Sequence, residues 1–315
     1  MPVEFEKTQS RPIMRSDAIP SIAQMRDELI FYEPLGEELN QVLDFIQPGG
    51  KEILAVAGYG YPLAFHPEGA TKVIGFDISR KQATWNALLA AAAERLTLQE
   101  NYDLLGNKMS IEEAKTKLSD ILHPELQKPA FDLLQETRES SGYVYFNRHL
   151  PYPYFSKQLP HYAFENIIKQ FPHLRDEAAL EKVKAAIAAG RLKLVWGEFL
   201  AVLSMLNGRG EQVDAVFGSN IRDVVLYDFG AKSHLPEDET QAAAAMFDKE
   251  YDQPLAQGLH AVLRPGGIYY NSTQLPHHGV PIVHPIEPKT YQGFEITGHR
   301  SEVFPEATIY IAKKI

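Results

Sequence analysis

Two glycines and one aspartate have the spacing that a nucleotide-binding site requires. Gly58 and Gly60 end the apolar run 52–57, and Asp77 ends the next apolar run, 17 residues after Gly60. Glycines allow the backbone to approach a ligand closely, and the first amides of a following helix face it. A carboxylate after the second strand can accept hydrogen bonds from both ribose hydroxyls. We therefore predict a nucleotide-binding loop with Ile78 as a further contact, the alternative being a glycine turn and an N-cap aspartate.

The residues that follow the loop discriminate between nucleotides. Leu63 occupies the position where a dinucleotide fingerprint requires a third glycine, and Tyr61-Pro62 precede it, which disfavours NAD. The lysine of a phosphate-binding loop is absent after the glycines, which excludes ATP binding by that route. An adenosine ligand without phosphates fits better, and S-adenosylmethionine (SAM) is the leading candidate.

Polar residues also follow two later strands of the predicted sheet. Ligands of open α/β sheets lie at the carboxyl ends of the strands. Glu198 could reach the adenine amino group, with a solvated carboxylate as the alternative. Ser219 and Asn220 could bind the carboxylate or amine of methionine, with a helix-capping turn as the alternative. Arg222 is expected either to bind a ligand carboxylate or to form a surface pair with Asp223.

An aromatic segment over residues 143–155 contains three tyrosines among its first ten residues. Aromatic faces stabilise cations such as a sulfonium, and a tyrosine cage would hold the ligand in a bent conformation. Alternation along an extended segment places Tyr145 and Asn147 on one side. These two residues, together with Ser219, are our predicted catalytic residues; the alternative is that the aromatic side chains only pack a cap onto the sheet.

Composition excludes several kinds of chemistry. The chain of 315 residues contains no cysteine, so disulfides, thiolate nucleophiles and cysteine-ligated metals are excluded. Its histidines, including His277, His278 and His284, form no metal-binding pattern, and we predict no metal site. The formal net charge of −10 argues against a nucleic-acid partner, because phosphate binding depends on lysine and arginine. We therefore expect a small-molecule substrate and leave a homo-oligomer open.

The sequence has no segment that suggests a membrane location. Charged residues occupy the amino terminus where a signal peptide would be apolar. The longest apolar run, Ala87 to Ala93, is far below the roughly 20 residues that span a bilayer. We expect a soluble, cytoplasmic protein without stable membrane insertion.

The order of elements predicts an α/β fold with a doubly wound Rossmann-like sheet. Residues 1–49 are expected to be an arm and helices, residues 50–96 and 191–315 the SAM-binding domain, and residues 97–190 an inserted helical cap. The predicted strands are 52–58, 72–77, 192–196, 215–217 and 267–270, followed by a hairpin near 291–295 and 307–312; the main helix is predicted over 80–96.

Gly58-x-Gly60, Asp77, Ala215-Val-Phe217 and the turn 263–267, in this order, resemble the class I SAM-dependent methyltransferases. The resemblance covers residues 50–96 and 191–315 and implies their fold and their use of SAM. One departure concerns the acid that this family usually has near the end of strand 1, where it binds the amino group of methionine. The corresponding residues here are Ala55-Val56-Ala57.

The missing acid, the helical insertion and Phe217-Gly-Ser-Asn-Ile221 are similar to the betaine-lipid 3-amino-3-carboxypropyltransferases and to SAM cyclases. This narrower resemblance implies nucleophilic attack at Cγ of SAM, giving aminocarboxypropyl transfer or cyclisation to azetidine-2-carboxylate with methylthioadenosine as coproduct. The alternative is a small-molecule N- or O-methyltransferase that releases S-adenosylhomocysteine (SAH), and a further alternative is a non-catalytic SAM or nucleotide sensor.

Overall fold

A computed structural model of the chain describes residues 4–8, 39–58, 60–139, 172–219, 221–222, 225, 237–273, 291–300 and 308–315. The described residues form an α/β fold with a mixed eight-stranded sheet. They belong to two compact units with four strands each. Unit 2 comprises helix α1 (Leu39–Ile46) and the described residues from Phe199 onward; unit 1 comprises the rest.

The four strands of unit 1 are parallel and lie in the order β1-β4-β3-β2. The strands are β1 (Glu4–Lys7), β2 (Glu52–Val56), β3 (Lys72–Asp77) and β4 (Leu192–Trp196). The apolar runs of β2 and β3 are almost entirely buried, as expected for parallel strands covered on both faces. Asp77 pairs with Trp196, and Trp196 with Lys7, so the carboxyl ends of these strands are in register.

The main helix of unit 1 begins where β3 has just ended. Ser79 caps helix α3 (Arg80–Arg95), and its side chain accepts a hydrogen bond from the Gln82 amide. Twelve of the sixteen residues of α3 are buried, so this alanine-rich helix lies inside the unit. The other helices of unit 1 are α2 (Tyr61–Ala64), α4 (Leu98–Leu105), α5 (Ile111–Leu118), α6 (Pro124–Glu139) and α7 (Glu177–Ala188), with a 3₁₀ turn at Pro172–Leu174.

Unit 2 combines parallel and antiparallel strands in the order β5-β6-β8-β7. Its elements after α1 are α8 (Phe199–Gly208), β5 (Val213–Phe217), α9 (Glu237–Phe247), a π-helical turn (Asp248–Asp252), α10 (Gln253–Val262), β6 (Leu263–Thr273), β7 (Phe294–Arg300) and β8 (Thr308–Lys314). Strand β6 is parallel to β5 and antiparallel to β8, and β8 is antiparallel to β7. The chain therefore ends with a strand inserted between β6 and β7.

The structure confirms the predicted α/β fold, including the closing hairpin. Strand β1 was not predicted, because residues 1–49 were expected to be an arm and helices. Its four residues are mostly charged and have no strand periodicity that a sequence search detects; pairing with the edge of β4 makes them a strand. Among the described helices, none is both long enough and apolar enough to cross a membrane.

Candidate functional site

Asp77 is the last residue of β3, and its carboxyl group is buried. Oδ1 accepts a hydrogen bond of 2.8 Å from the Ser79 amide, whereas Oδ2 is buried with no hydrogen-bond partner. Burial raises the pKa of this carboxyl from 3.8 to about 7. The hydrogen bonds from the Ser79 and Ile78 amides lower this pKa, but their effect is smaller than that of burial. Oδ2 is therefore an acceptor that a ligand hydroxyl could satisfy.

The segments after β3 and β4 are tied together beside this carboxyl group. The indole N–H of Trp196 donates to the Ile78 carbonyl at 3.0 Å, and the Gly197 amide donates to the Asp77 carbonyl at 2.8 Å. Glu198, predicted to bind the adenine amino group, follows at once and is buried. Unit 1 thus brings Asp77, Ile78 and Glu198 to the carboxyl ends of two paired strands, as predicted from their positions after strands.

Two cationic side chains make cation–π contacts with the Trp196 ring. Lys7 Nζ lies 4.5 Å and the Arg80 guanidinium carbon 5.5 Å from the ring centroid. Such contacts hold a cation over the ring with an energy of about 0.5–1 kcal/mol at exposed sites. Two cationic side chains therefore lie over the last residue of β4, whose partner in β3 is the buried Asp77.

The glycine loop lies between β2 and α2. Gly60 has a φ of 93°, a backbone conformation that L side chains rarely adopt. At Gly58, a Cβ atom would lie 2.6 Å from the Tyr61 ring. Gly58 is therefore needed for the packing of Tyr61, and the predicted close approach of a ligand at Gly58 and Gly60 stays a prediction.

Two amide side chains of α3 are hydrogen-bonded to this loop, and neither was among our predicted site residues. Gln82 Nε2 donates to the Ala57 carbonyl at 3.1 Å, and Asn86 Nδ2 donates to the Gly58 carbonyl at 3.0 Å and also to the Ala57 carbonyl. Both side chains are essentially inaccessible to solvent. The available signal was their spacing of four residues on a helix whose other central residues are mostly alanine and leucine.

Ser219 lies in unit 2, directly after β5 and Gly218. It has a φ of 49°, in the left-handed region that is unusual for a residue with a side chain, and its carbonyl accepts from the Ser272 amide at 2.8 Å. Strained backbone of this kind persists where the surrounding structure enforces it and is frequent at functional sites. The catalytic and cofactor-binding roles predicted for Ser219 stay predictions.

Arg222 is buried, and is therefore not part of the surface pair that was one of the two arrangements expected for it. The side chain is 1 % exposed and makes a bidentate ion pair with Asp252, from Nε to Oδ1 at 2.7 Å and from Nη2 to Oδ2 at 2.8 Å. The Tyr291 hydroxyl also donates to Asp252, at 2.7 Å, and burial raises the pKa of Tyr291 well above its usual value. Arg222 therefore joins the turn after β5 to the start of α10, because a buried guanidinium needs a carboxylate partner.

Several predicted residues fall outside the described part of the chain. Tyr145, Asn147 and Asn220 belong to this group, and so do the histidines at 277, 278 and 284. Their predicted roles stay predictions. Among the residues that are described, no three histidine, aspartate or glutamate side chains are grouped so that they could hold a metal ion.

No family model and no curated protein sequence matches this chain. Its structure is similar to a proposed methyltransferase, SMU.776, complexed with SAH, at 11 % identity and a TM-score of 0.36 over 88 % of this chain and 50 % of that one. The rRNA methyltransferase aviRa from Streptomyces viridochromogenes is similar at 14 % identity and a TM-score of 0.33, over 90 % and 86 %. A proposed methyltransferase from Streptococcus mutans in complex with SAH is similar at 7 % identity and a TM-score of 0.33, over 91 % and 100 %. The chain spans about half the length of the first of these proteins.

Two of our expectations are corrected by these names. All three proteins are named as methyltransferases, and two were crystallised with SAH, the coproduct of methyl transfer. The expectation of Cγ transfer or cyclisation is contradicted by these names. One protein is named for rRNA, which contradicts our expectation that nucleic acid is no partner. That expectation used the net charge of the whole chain, which does not describe the charge of one surface.

Proposed function

We propose that unit 1 binds SAM and that the protein is a SAM-dependent methyltransferase acting on a nitrogen or oxygen nucleophile. The observation that supports this most directly is Asp77, a buried carboxyl group at the end of β3 with one unpartnered oxygen. A ribose offers two adjacent hydroxyl donors, and a carboxylate can accept from both. Ligand hydroxyls at Oδ2 would satisfy a buried acceptor that otherwise lowers stability.

The loop before Asp77 favours a ligand without phosphates. A dinucleotide needs a helix whose first amides face its pyrophosphate. Helix α2 has only four residues, and Pro62 in its first turn has no N–H to offer. Adenosine with a methionine arm fits this loop better than adenosine with a pyrophosphate. Glu198 remains our proposed contact for the adenine, and Ile78 remains a further proposed contact with the cofactor.

Bound SAM supplies a methyl group on a positively charged sulfur, which a nucleophile can attack so that the C–S bond breaks and the sulfur keeps its electron pair as neutral SAH. The protein's share of this reaction is positioning and exclusion of water, since the sulfonium is already activated. Asp77 would hold the ribose, and its ionised form would be favoured once hydroxyls donate to it. A nitrogen or oxygen acceptor must also lose a proton, for which one base or water suffices.

Binding is the first test of this proposal. Titration calorimetry of the purified protein with SAM and with SAH should show both bind, and Asp77→Asn should weaken both at least tenfold. Asp176→Asn is a matched control, because Asp176 is a half-exposed helix cap in the same unit and asparagine caps equally well. Absence of SAM binding by the unmodified protein would overturn the proposal.

The reaction is the second test. The protein is incubated with SAM carrying a labelled methyl group and with two separate acceptor fractions, total RNA and small metabolites. Accumulation of SAH with label in either fraction supports methyl transfer and identifies the class of acceptor. Methylthioadenosine as the enzymatic coproduct, or SAM binding with no transfer to either fraction, would overturn it.

A further inference from the structure

The amide side chains of Gln82 and Asn86 are directed to the glycine loop and hold two consecutive backbone carbonyls there. They lie one helical turn apart on α3, at 0 % and 1 % exposure. The Ala57 carbonyl accepts from both amide nitrogens, and the Gly58 carbonyl accepts from Asn86 and from the Gly60 amide. Both carbonyls are therefore fixed on the side of the loop that faces α3.

Fixing a carbonyl also fixes the amide next to it. The peptide group is planar and trans, so its C=O and N–H point in opposite directions. Because the Ala57 carbonyl is hydrogen-bonded to side chains of α3, the N–H of Gly58 points away from that helix. Two buried side chains thus decide which way the backbone donor of the loop faces.

Packing alone does not explain amides at these positions. The buried neighbours of Gln82 and Asn86 along α3 are mainly alanine and leucine, which fill such a helix face without any polar group. A buried amide lowers stability unless it is paired, and Gln82 Oε1 and Asn86 Oδ1 are buried without hydrogen-bond partners. The nitrogen atoms of both side chains donate to the loop, and Asn86 Nδ2 also donates to the Gln82 carbonyl of the same helix at 3.0 Å.

We infer that Gln82 and Asn86 are positioning residues of the SAM site, which hold the Ala57 and Gly58 carbonyls against α3 so that the amide of Gly58 faces the cofactor. This inference rests on the proposed function, because it names the cofactor as the group that the loop serves. It assigns no direct contact with SAM to either side chain; both act through the backbone of the loop.

The test uses two variants and one control on the same helix. Asn86→Asp replaces the donor nitrogen by an oxygen that faces two carbonyl oxygens, and Gln82→Met keeps the volume and removes the donor. Thr84→Val is the matched control, because Thr84 is equally buried and its hydroxyl has no hydrogen-bond partner. Gln82→Met provides a second route to the answer if the buried charge of Asn86→Asp prevents folding.

Two measurements on the full-length variants separate a positioning role from a merely structural one. Hydrogen–deuterium exchange without ligand should show faster exchange of the backbone amides in 57–63 in Asn86→Asp and Gln82→Met, with unchanged exchange in β3. Calorimetry should show SAM bound at least tenfold more weakly by Asn86→Asp and severalfold more weakly by Gln82→Met, and within twofold by Thr84→Val.

The outcomes distinguish this inference from the proposed function. Variants that fold and bind SAM as tightly as the unmodified protein overturn the inference and leave the proposed function intact. Equal weakening in Thr84→Val also overturns it, because any change in the interior of α3 would then have the same effect. Absence of SAM binding by the unmodified protein overturns both the inference and the proposed function. Hydrogen–deuterium exchange of the loop amides then still shows whether Gln82 and Asn86 hold the backbone.

Discussion

Replacing Asp77 by asparagine should make the protein more stable at alkaline pH while weakening its binding of SAM. Burial raises the pKa of the folded-state carboxyl from 3.8 to about 7. Between these two values the folded chain keeps a proton that the unfolded chain has lost, so the free energy of unfolding falls as pH rises and levels off above about 7. Below 3.8 the carboxyl is neutral in both states, and the contribution is fully present.

The size of the effect follows from the same two pKa values. At 1.36 kcal/mol per pH unit, the interval from 3.8 to about 7 corresponds to about 4 kcal/mol, of which roughly 3 kcal/mol falls between pH 5 and pH 8. Asparagine stays neutral at every pH and has nearly the same shape. The stability gained by Asp77→Asn should therefore grow by about 3 kcal/mol between pH 5 and pH 8.

Urea unfolding at pH 5 and pH 8, followed by far-ultraviolet circular dichroism, measures this difference for Asp77→Asn, with Asp176→Asn as the control. The affinity for SAM should change with pH in the opposite direction to the stability, because ribose hydroxyls donate to the ionised carboxylate and favour it. The affinity of the unmodified protein should rise as pH increases through 7, and Asp77→Asn should lose that dependence. A stability difference that is the same at both pH values, or an affinity that Asp77→Asn leaves unchanged, would refute the reasoning.

Three further variants test other parts of the structure. Asp252→Ala removes the carboxylate from the buried ion pair with Arg222, so the free energy of unfolding should fall by about 3–5 kcal/mol. Urea titration measures this loss, and a loss below about 1 kcal/mol would contradict the buried pair. Gly58→Ala places a Cβ 2.6 Å from the Tyr61 ring and should lower the free energy of unfolding by about 1–3 kcal/mol. In a double-mutant cycle, adding Tyr61→Ala should recover part of that loss. Strictly additive losses would exclude the clash. Ser219→Gly relieves a left-handed φ and should raise the free energy of unfolding by up to about 1 kcal/mol, whereas a marked loss of stability would show that the Ser219 side chain supports the turn.

Local patterns were sufficient for the parts of the fold that depend on burial of a continuous segment. The run 72–77 is apolar between its first lysine and its terminal aspartate, and β3 has these bounds. Strand β4 likewise matches the predicted run 192–196. The same reasoning could not find β1, because its four residues form a strand only through hydrogen bonds to β4. A short charged segment contains no local signal of that pairing.

The candidate site divides in the same way. Asp77, Ile78 and Glu198 were predicted from their positions at strand ends, and the register of β3 with β4 places them at neighbouring ends, while their roles in binding stay predictions. Gln82 and Asn86 were missed, since their importance depends on which carbonyls α3 faces in the folded chain. A helix sequence shows that two amides share a face, and it does not show what that face meets.

The sequence by itself determined the α/β class, the succession of buried strands along the chain and the placement of polar residues at strand ends, because each of these follows from hydrophobic runs and the residues that end them. Only the tertiary structure decided which neighbour each polar group has. Arg222 is the clearest case: the sequence placed it beside Asp223 at the surface or facing a ligand, whereas the fold buries it against Asp252, thirty residues further along the chain. A buried charge is stabilised by whichever partner the packed chain brings within hydrogen-bonding distance. The number of residues between two side chains does not indicate how far apart they lie in the folded chain.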